Sequence, residues 1–136
     1  MEIKFQKENF SVEKELANFS NSNTSSGSIM SFLGKVRPLN GNREIQSIDI
    51  EFYEKMALFQ TKIIILKLLK KYSIKDYLII HRYGNLVPGE NIVLVLVASR
   101  HRKESFIFLE SIIDWLKVKI TFWKRENYSG FSEWIE

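Results

Sequence analysis

Seven lysines and arginines fall between Ser99 and Arg125, against three acids, Glu104, Glu110 and Asp114. That surplus equals the whole net charge of +4, so the rest of the chain cancels. An imbalance confined to one stretch points to a local anion site more than to a generally basic surface. Its first cluster is Arg100, His101, Arg102 and Lys103. The apolar spacing that follows places these at a helix N-terminus, where free N–H groups already carry partial positive charge. Each cation there costs about 0.3–1 kcal/mol at an exposed end. Four together fit a phosphate or carboxylate on which N–H groups and guanidiniums converge. Pairing of one or two of them with Glu104 is the competing explanation, and charge alone leaves the two even.

The second cluster is Lys117, Lys119, Lys124 and Arg125. Lys117 and Lys119 close the same helix, where lysine is favourable without any function. Lys124 follows Phe122-Trp123 on an expected strand and points opposite to Trp123. If that strand turns back along the helix end, Lys117 and Lys124 converge. Two partly desolvated ammonium groups lower one another's pKa and make a neutral amine available near pH 7. Such an amine can attack a carbonyl or move a proton. Arg37, just before Pro38, reads as a solvated strand-end residue, and His81-Arg82 as structural. The chain has no cysteine and two histidines, which excludes disulfides, a thiol nucleophile, thiolate metal sites and a His-rich metal centre. Any sulfur it handles must arrive on another molecule.

The elements that must position these groups follow from periodicity. Ile3–Lys7 alternates as a short strand, and Ser11 caps a helix Val12–Phe19 with Leu16 and Phe19 inward. The polar run from Ser20 to Gly27 reads as a mobile surface loop. Ser28–Arg37 is a strand, the Asn-Gly signal after Pro38 a turn, and Ile48, Ile50 and Phe52 the buried face of an antiparallel partner. Met56, Phe59, Ile63, Leu66 and Leu69 have helical spacing. Tyr77–Tyr83 is a strand, Gly84–Glu90 a connection, and Ile92–Ala98 a strand covered on both faces. A helix from about Arg102 to Val118 buries Phe106, Leu109, Ile112 or Ile113, and Leu116. Ile120–Glu126 and Phe131–Ile135 pair across the turn between them. The expected class is α+β: a single domain over 1–136, with a mostly antiparallel sheet packed by two main helices, a short N-terminal helix and a C-terminal hairpin. The chain length suits one core, and the N-terminus has no signal-peptide pattern. A cytoplasmic protein is expected.

Several blocks together carry a family resemblance. They are Phe32-Leu-Gly-Lys-Val-Arg37, Glu51-Phe-Tyr-Glu-Lys-Met56, His81-Arg-Tyr-Gly-Asn-Leu-Val-Pro-Gly-Glu90 and Ser99-Arg-His-Arg-Lys103. Asp114-Trp-Leu-Lys117, Phe122-Trp-Lys-Arg-Glu126 and Trp134-Ile-Glu136 continue the series. In this order and spacing, from about Ile29 onward, the chain resembles the large, catalytic subunit of molybdopterin synthase. The resemblance implies conversion of cyclic pyranopterin monophosphate to molybdopterin by installing two sulfurs as a dithiolene. The sulfur donor it implies is a thiocarboxylate on the C-terminal glycine of a small ubiquitin-like subunit, whose tail enters a pocket. The implied assembly is a heterotetramer built on a central homodimer, with no cofactor, metal, nucleic acid or membrane. By position, Lys117 and Lys124 correspond to the family's catalytic lysines. Arg37, His101 and Arg102 correspond to residues that hold the substrate phosphate, some across the dimer, and Glu126 orients Lys124. Thr121 departs from the family's usual proline. A small basic nucleic-acid-binding domain, suggested by the pI near 9.3 and the Phe122–Arg125 cluster, is the alternative.

Overall fold

The uninterrupted apolar run Ile92–Ala98 becomes the centre of the molecule, as a strand covered on both faces must. The computed structural model describes residues 1–118 and 122–135. Its elements are β1 (Glu2–Gln6), α1 (Val12–Ser22), β2 (Ser28–Lys35), β3 (Leu39–Asn40), β4 (Arg43–Glu44), β5 (Ser47–Phe52), α2 (Glu54–Lys71), β6 (Asp76–Arg82), β7 (Gly84–Leu86), β8 (Asn91–Ser99), α3 (Arg102–Val118), β9 (Phe122–Tyr128) and β10 (Phe131–Ile135). The first sheet runs β1-β6-β8-β2, antiparallel except for the parallel β1–β6 pair. Odd residues Ile79, Val95 and Val97 meet α2 and α3 through Ala57, Ile65, Phe108, Ile112 and Leu116. Even residues Leu78, Ile80, Leu94 and Leu96 meet Phe10 and Phe19 on the other face. The α+β class holds.

The second sheet, β10-β9-β5-β7, was expected only in part. β2 and β5 do not pair across the Asn-Gly turn; β2 pairs with β8, and β5 with β9 and β7. The turn instead closes its own hairpin, β3–β4, with Gly41 at φ +63°, a conformation that costs glycine little. β7 lies inside what reads as a connection, too short to show a period. The loop after α1 is also more ordered than its composition suggests. Asn23 donates to Asp76 at 2.8 Å, Lys75 bonds Ser25, and Gly27 N–H donates to the Ser99 carbonyl. A Cβ on Gly27 would lie 2.3 Å from the Arg100 carbonyl oxygen, so the start of β2 is pressed against the start of α3.

Two helix faces differ from expectation. Leu16 and Phe106 are exposed, while Phe19 and Phe108 are buried. Phe108 leaves no surface to solvent and Phe106 is 56% exposed. Phe108→Ala is therefore expected to cost about 3–5 kcal/mol in urea unfolding, and Phe106→Ala roughly 0.5 kcal/mol or less. Equal losses would contradict this orientation of α3. In α2, Met56, Phe59, Ile63 and Leu66 face solvent, and the buried residues are Ala57, Thr61 and Ile65. No described helix is long and apolar enough to cross a membrane. The expectations for Lys119, Ile120, Thr121 and Glu136 lie outside the described residues.

Candidate active site

The two sheets, the end of α3 and the strand after it enclose a cleft of about 590 Å³. α3 delivers Lys117 from its last turn, beside Leu116, which is anchored in the core. β9 delivers Lys124 and Glu126 from one face, because Phe122, Lys124, Glu126 and Tyr128 alternate with Trp123, Arg125 and Asn127. Trp123, on the opposite face, is 49% exposed. Arg37, just beyond β2, completes the charged rim. Apolar walls come from Phe32, Val36, Ile48 and Ile113. Lys117, Lys124, Arg37 and Glu126 thus share one cavity.

The electrostatics are asymmetric. Burial, then the charges of Lys117 and Arg37, hold the Lys124 ammonium below the ordinary lysine value, and Glu126 opposes them. Glu126 is 2% exposed. Its Oε1 accepts from Asn40 Nδ2 at 2.9 Å and from the Tyr128 hydroxyl at 3.0 Å, with Arg37 Nη2 at 3.7 Å. A buried carboxylate held by these donors stays in place and faces the amine. Asn40 belongs to the small hairpin β3–β4, so that hairpin serves the site. The Asn-Gly signal reads only as a turn, and nothing in the local sequence marks Asn40 or Tyr128 as partners of Glu126.

His81, whose place at a strand end reads as structural, also lines the cleft. Its ring stacks on Phe122 with centroids 4.4 Å apart. Nδ1 lies 2.8 Å from the Arg82 carbonyl; since a carbonyl can only accept, the proton sits on Nδ1 and Nε2 keeps its lone pair. Burial, with the charge of Lys124 also acting against protonation, lowers its pKa to about 4 even though the carbonyl bond favours the cation. Between about 6.5 and 4, the unfolded chain therefore binds a proton that the folded chain refuses. Stability is expected to fall as pH drops through that window, by on the order of 3 kcal/mol. Asp49 and Asp76, whose hydrogen bonds outweigh the burial that raises them, act below their ordinary 3.8 and so in a separate window. Urea titrations of His81→Phe should lose the slope between about pH 6.5 and 4; an unchanged slope would place its origin elsewhere. Arg82 behaves as expected of a structural residue, donating to the carbonyls of Lys7 and Asn91.

His101 and Arg102 do not line this cleft. Both are exposed at the start of α3, and Arg102 lies fifteen residues from Lys117, about 22 Å along the helix. The two basic clusters are therefore separate within one chain. The Phe122–Arg125 cluster also divides: Lys124 faces the cleft, while Arg125 binds Asp49 at 2.8 Å and lies over Trp134. No continuous basic and aromatic face remains there for a nucleic acid.

A family model described as MoaE protein matches residues 5–119. The chain is 40% identical over 129 residues to the molybdopterin synthase catalytic subunit of Pyrococcus abyssi, covering 95% of this chain and 86% of that one. It is 34% identical to the molybdopterin synthase catalytic subunit of Ralstonia nicotianae, covering 98% and 76%. Among solved structures, a molybdopterin biosynthesis MoaE protein from Burkholderia ambifaria superposes with TM-score 0.82 at 29% identity, covering 98% and 87%. Molybdopterin synthase from Staphylococcus aureus gives 0.87 at 25%, covering 98% and 96%. With the matched segment spanning most of the sequence and the cleft residues in place, the chain belongs to the MoaE family, whose curated relatives are molybdopterin synthase catalytic subunits.

Proposed function

We propose that this chain, acting as one domain over 1–136, is the sulfur-transferring catalytic subunit of a cytoplasmic molybdopterin synthase. Its substrate is cyclic pyranopterin monophosphate, and its sulfur donor the thiocarboxylated glycine tail of a small ubiquitin-like subunit. The observation that carries this reading is the meeting of Lys117 and Lys124 in one cleft with Arg37 and Glu126. As each sulfur passes to the substrate its bond to the tail's acyl carbon breaks, water supplies the oxygen that replaces it, and the cleft's cations stabilise the carboxylate charge as it forms. Lys124, with its lowered affinity for a proton, is the group suited to give or take protons during ring opening. Lys117 stands beside the acyl carbon, and Glu126 orients Lys124. The solved structure of subunits 1 and 2 of a molybdopterin-converting factor from Helicobacter pylori has the same fold, and the two-subunit assembly named there is the one proposed here. Purified chain, thiocarboxylated small subunit and pyranopterin should yield dithiolene; no product under any condition would end the reading.

The phosphate site needs a second copy. β2 ends its sheet and offers a strand edge of eight residues, a surface that natural proteins cover. Antiparallel pairing of two β2 edges about a two-fold axis would set the Ser28 end of one chain beside the Lys35 end of the other. The Ser28 end carries the start of α3, through Gly27 and Ser99, so His101 and Arg102 of one copy reach the cleft of the other. Mixing Lys117→Ala and Arg102→Ala chains, each inactive alone, should restore about a quarter of wild-type activity, from the intact site of each mixed dimer. If the mixture stays inactive, His101 and Arg102 do not act across the dimer.

A further inference from the structure

α2 is apolar on two opposite faces. Ala57, Thr61 and Ile65 are buried, whereas Met56, Phe59, Ile63 and Leu66 are 50%, 61%, 38% and 60% exposed. At the helical period these four fall within an arc of about 80° directly opposite the buried face. Lys55 and Lys62 border the arc on one side, Lys67 and Lys71 on the other. A helix apolar on both faces is the pattern of a buried helix, and an exposed ridge rimmed by polar groups marks an interaction site. From Met56 to Leu66 the ridge is about 15 Å long. It lies on α2, away from the cleft walls, so catalysis does not explain it.

The flanking charges select what can cover it. α2 carries five lysines and one glutamate, Glu54. A second copy laid along the ridge would set lysines against lysines on both flanks, the arrangement that prevents helix pairing. A flat anionic membrane would also meet the outer ridge of α3, which packs beside α2 on the same face of the sheet. That ridge exposes Glu110 and Asp114 beside Lys103 and Lys117, so it carries no net charge and adds no attraction for anionic lipid. A narrow apolar stripe bordered by carboxylates meets neither objection.

We propose that α2 docks an acidic amphipathic helix of another protein, its apolar stripe on Met56, Phe59, Ile63 and Leu66 and its carboxylates against the flanking lysines. The test titrates the full chain with two labelled synthetic helical peptides that share a leucine stripe, one flanked by glutamates and one by lysines. The glutamate peptide should bind, and weaken at least about tenfold when salt rises from low to about 0.3 M. A Phe59→Ser/Leu66→Ser chain should weaken it by a similar factor while keeping the wild-type melting temperature and sulfur-transfer rate. The lysine peptide should not bind. The proposal fails if the glutamate peptide does not bind, or if both peptides bind alike. It also fails if Phe59→Ser/Leu66→Ser abolishes self-association in sedimentation or binding to phosphatidylglycerol vesicles, since the ridge then serves another occupant. None of these results touches the catalytic reading, which rests on the cleft.

Discussion

Lys117→Ala is expected to reduce dithiolene formation by about 10³-fold, the scale on which a positioned proton-transfer or charge-stabilising group acts. The chain should remain folded. Lys117 is exposed in the last turn of α3, where its charge favours the helix by no more than about 1 kcal/mol. A fall in melting temperature beyond about 5 °C would therefore exceed what that charge supplies. The informative comparison is Lys103→Ala, which removes the same charge from the far end of α3. That change should leave the cleft's own chemistry intact and alter mainly the apparent affinity for the phosphate-bearing substrate. Full turnover by Lys117→Ala would remove the proposed role, whatever the fate of Lys103.

The second large effect concerns Lys124 and has a sign that can fail. Lys124→Ala should also cost about 10²–10⁴ in rate. If Lys124 works as a neutral amine, kcat/KM rises with pH as its ammonium loses a proton. Lys117 and Arg37 push that titration down, and Glu126 pulls it up. Arg37→Ala should then move the acidic limb to higher pH and Glu126→Gln to lower pH. Following the Lys124 side-chain resonance in Lys117→Ala should show an upward shift larger than in Arg37→Ala, because Lys117 contributes the larger repulsion. Shifts of the same sign in Arg37→Ala and Glu126→Gln would exclude Lys124 as the titrating group. The buried network of Asn40 and Tyr128 matters here because it fixes the carboxylate against which the amine is read. Asn40→Ala leaves Tyr128 as a donor, so its effect on the limb should be smaller than that of Glu126→Gln.

Local sequence determined much of this protein. The continuous apolar run of β8, the Ser11 cap, the extent of α3 and the opposite directions of Trp123 and Lys124 follow from short-range stereochemistry, and short-range patterns record it. The family resemblance pointed to Lys117, Lys124, Arg37 and Glu126, and the fold brings those four together. Which aromatic of α3 enters the core was not legible, because Phe106 and Phe108 both fit an apolar helix and only the neighbouring sheet distinguishes them. The same holds for α2, apolar on two faces, where periodicity marks a helix without saying which face the sheet covers. Strand partnership was legible least. β2 and β5 are separated in sequence only by the small hairpin β3–β4 yet belong to different sheets, since pairing depends on which edges meet after collapse and not on the short connection between them. That same long-range step carries Asn40 to Glu126 and His81 to Phe122. It also leaves His101 and Arg102 a helix length from the cleft they resemble parts of, because a rigid helix cannot bring both its ends to one place.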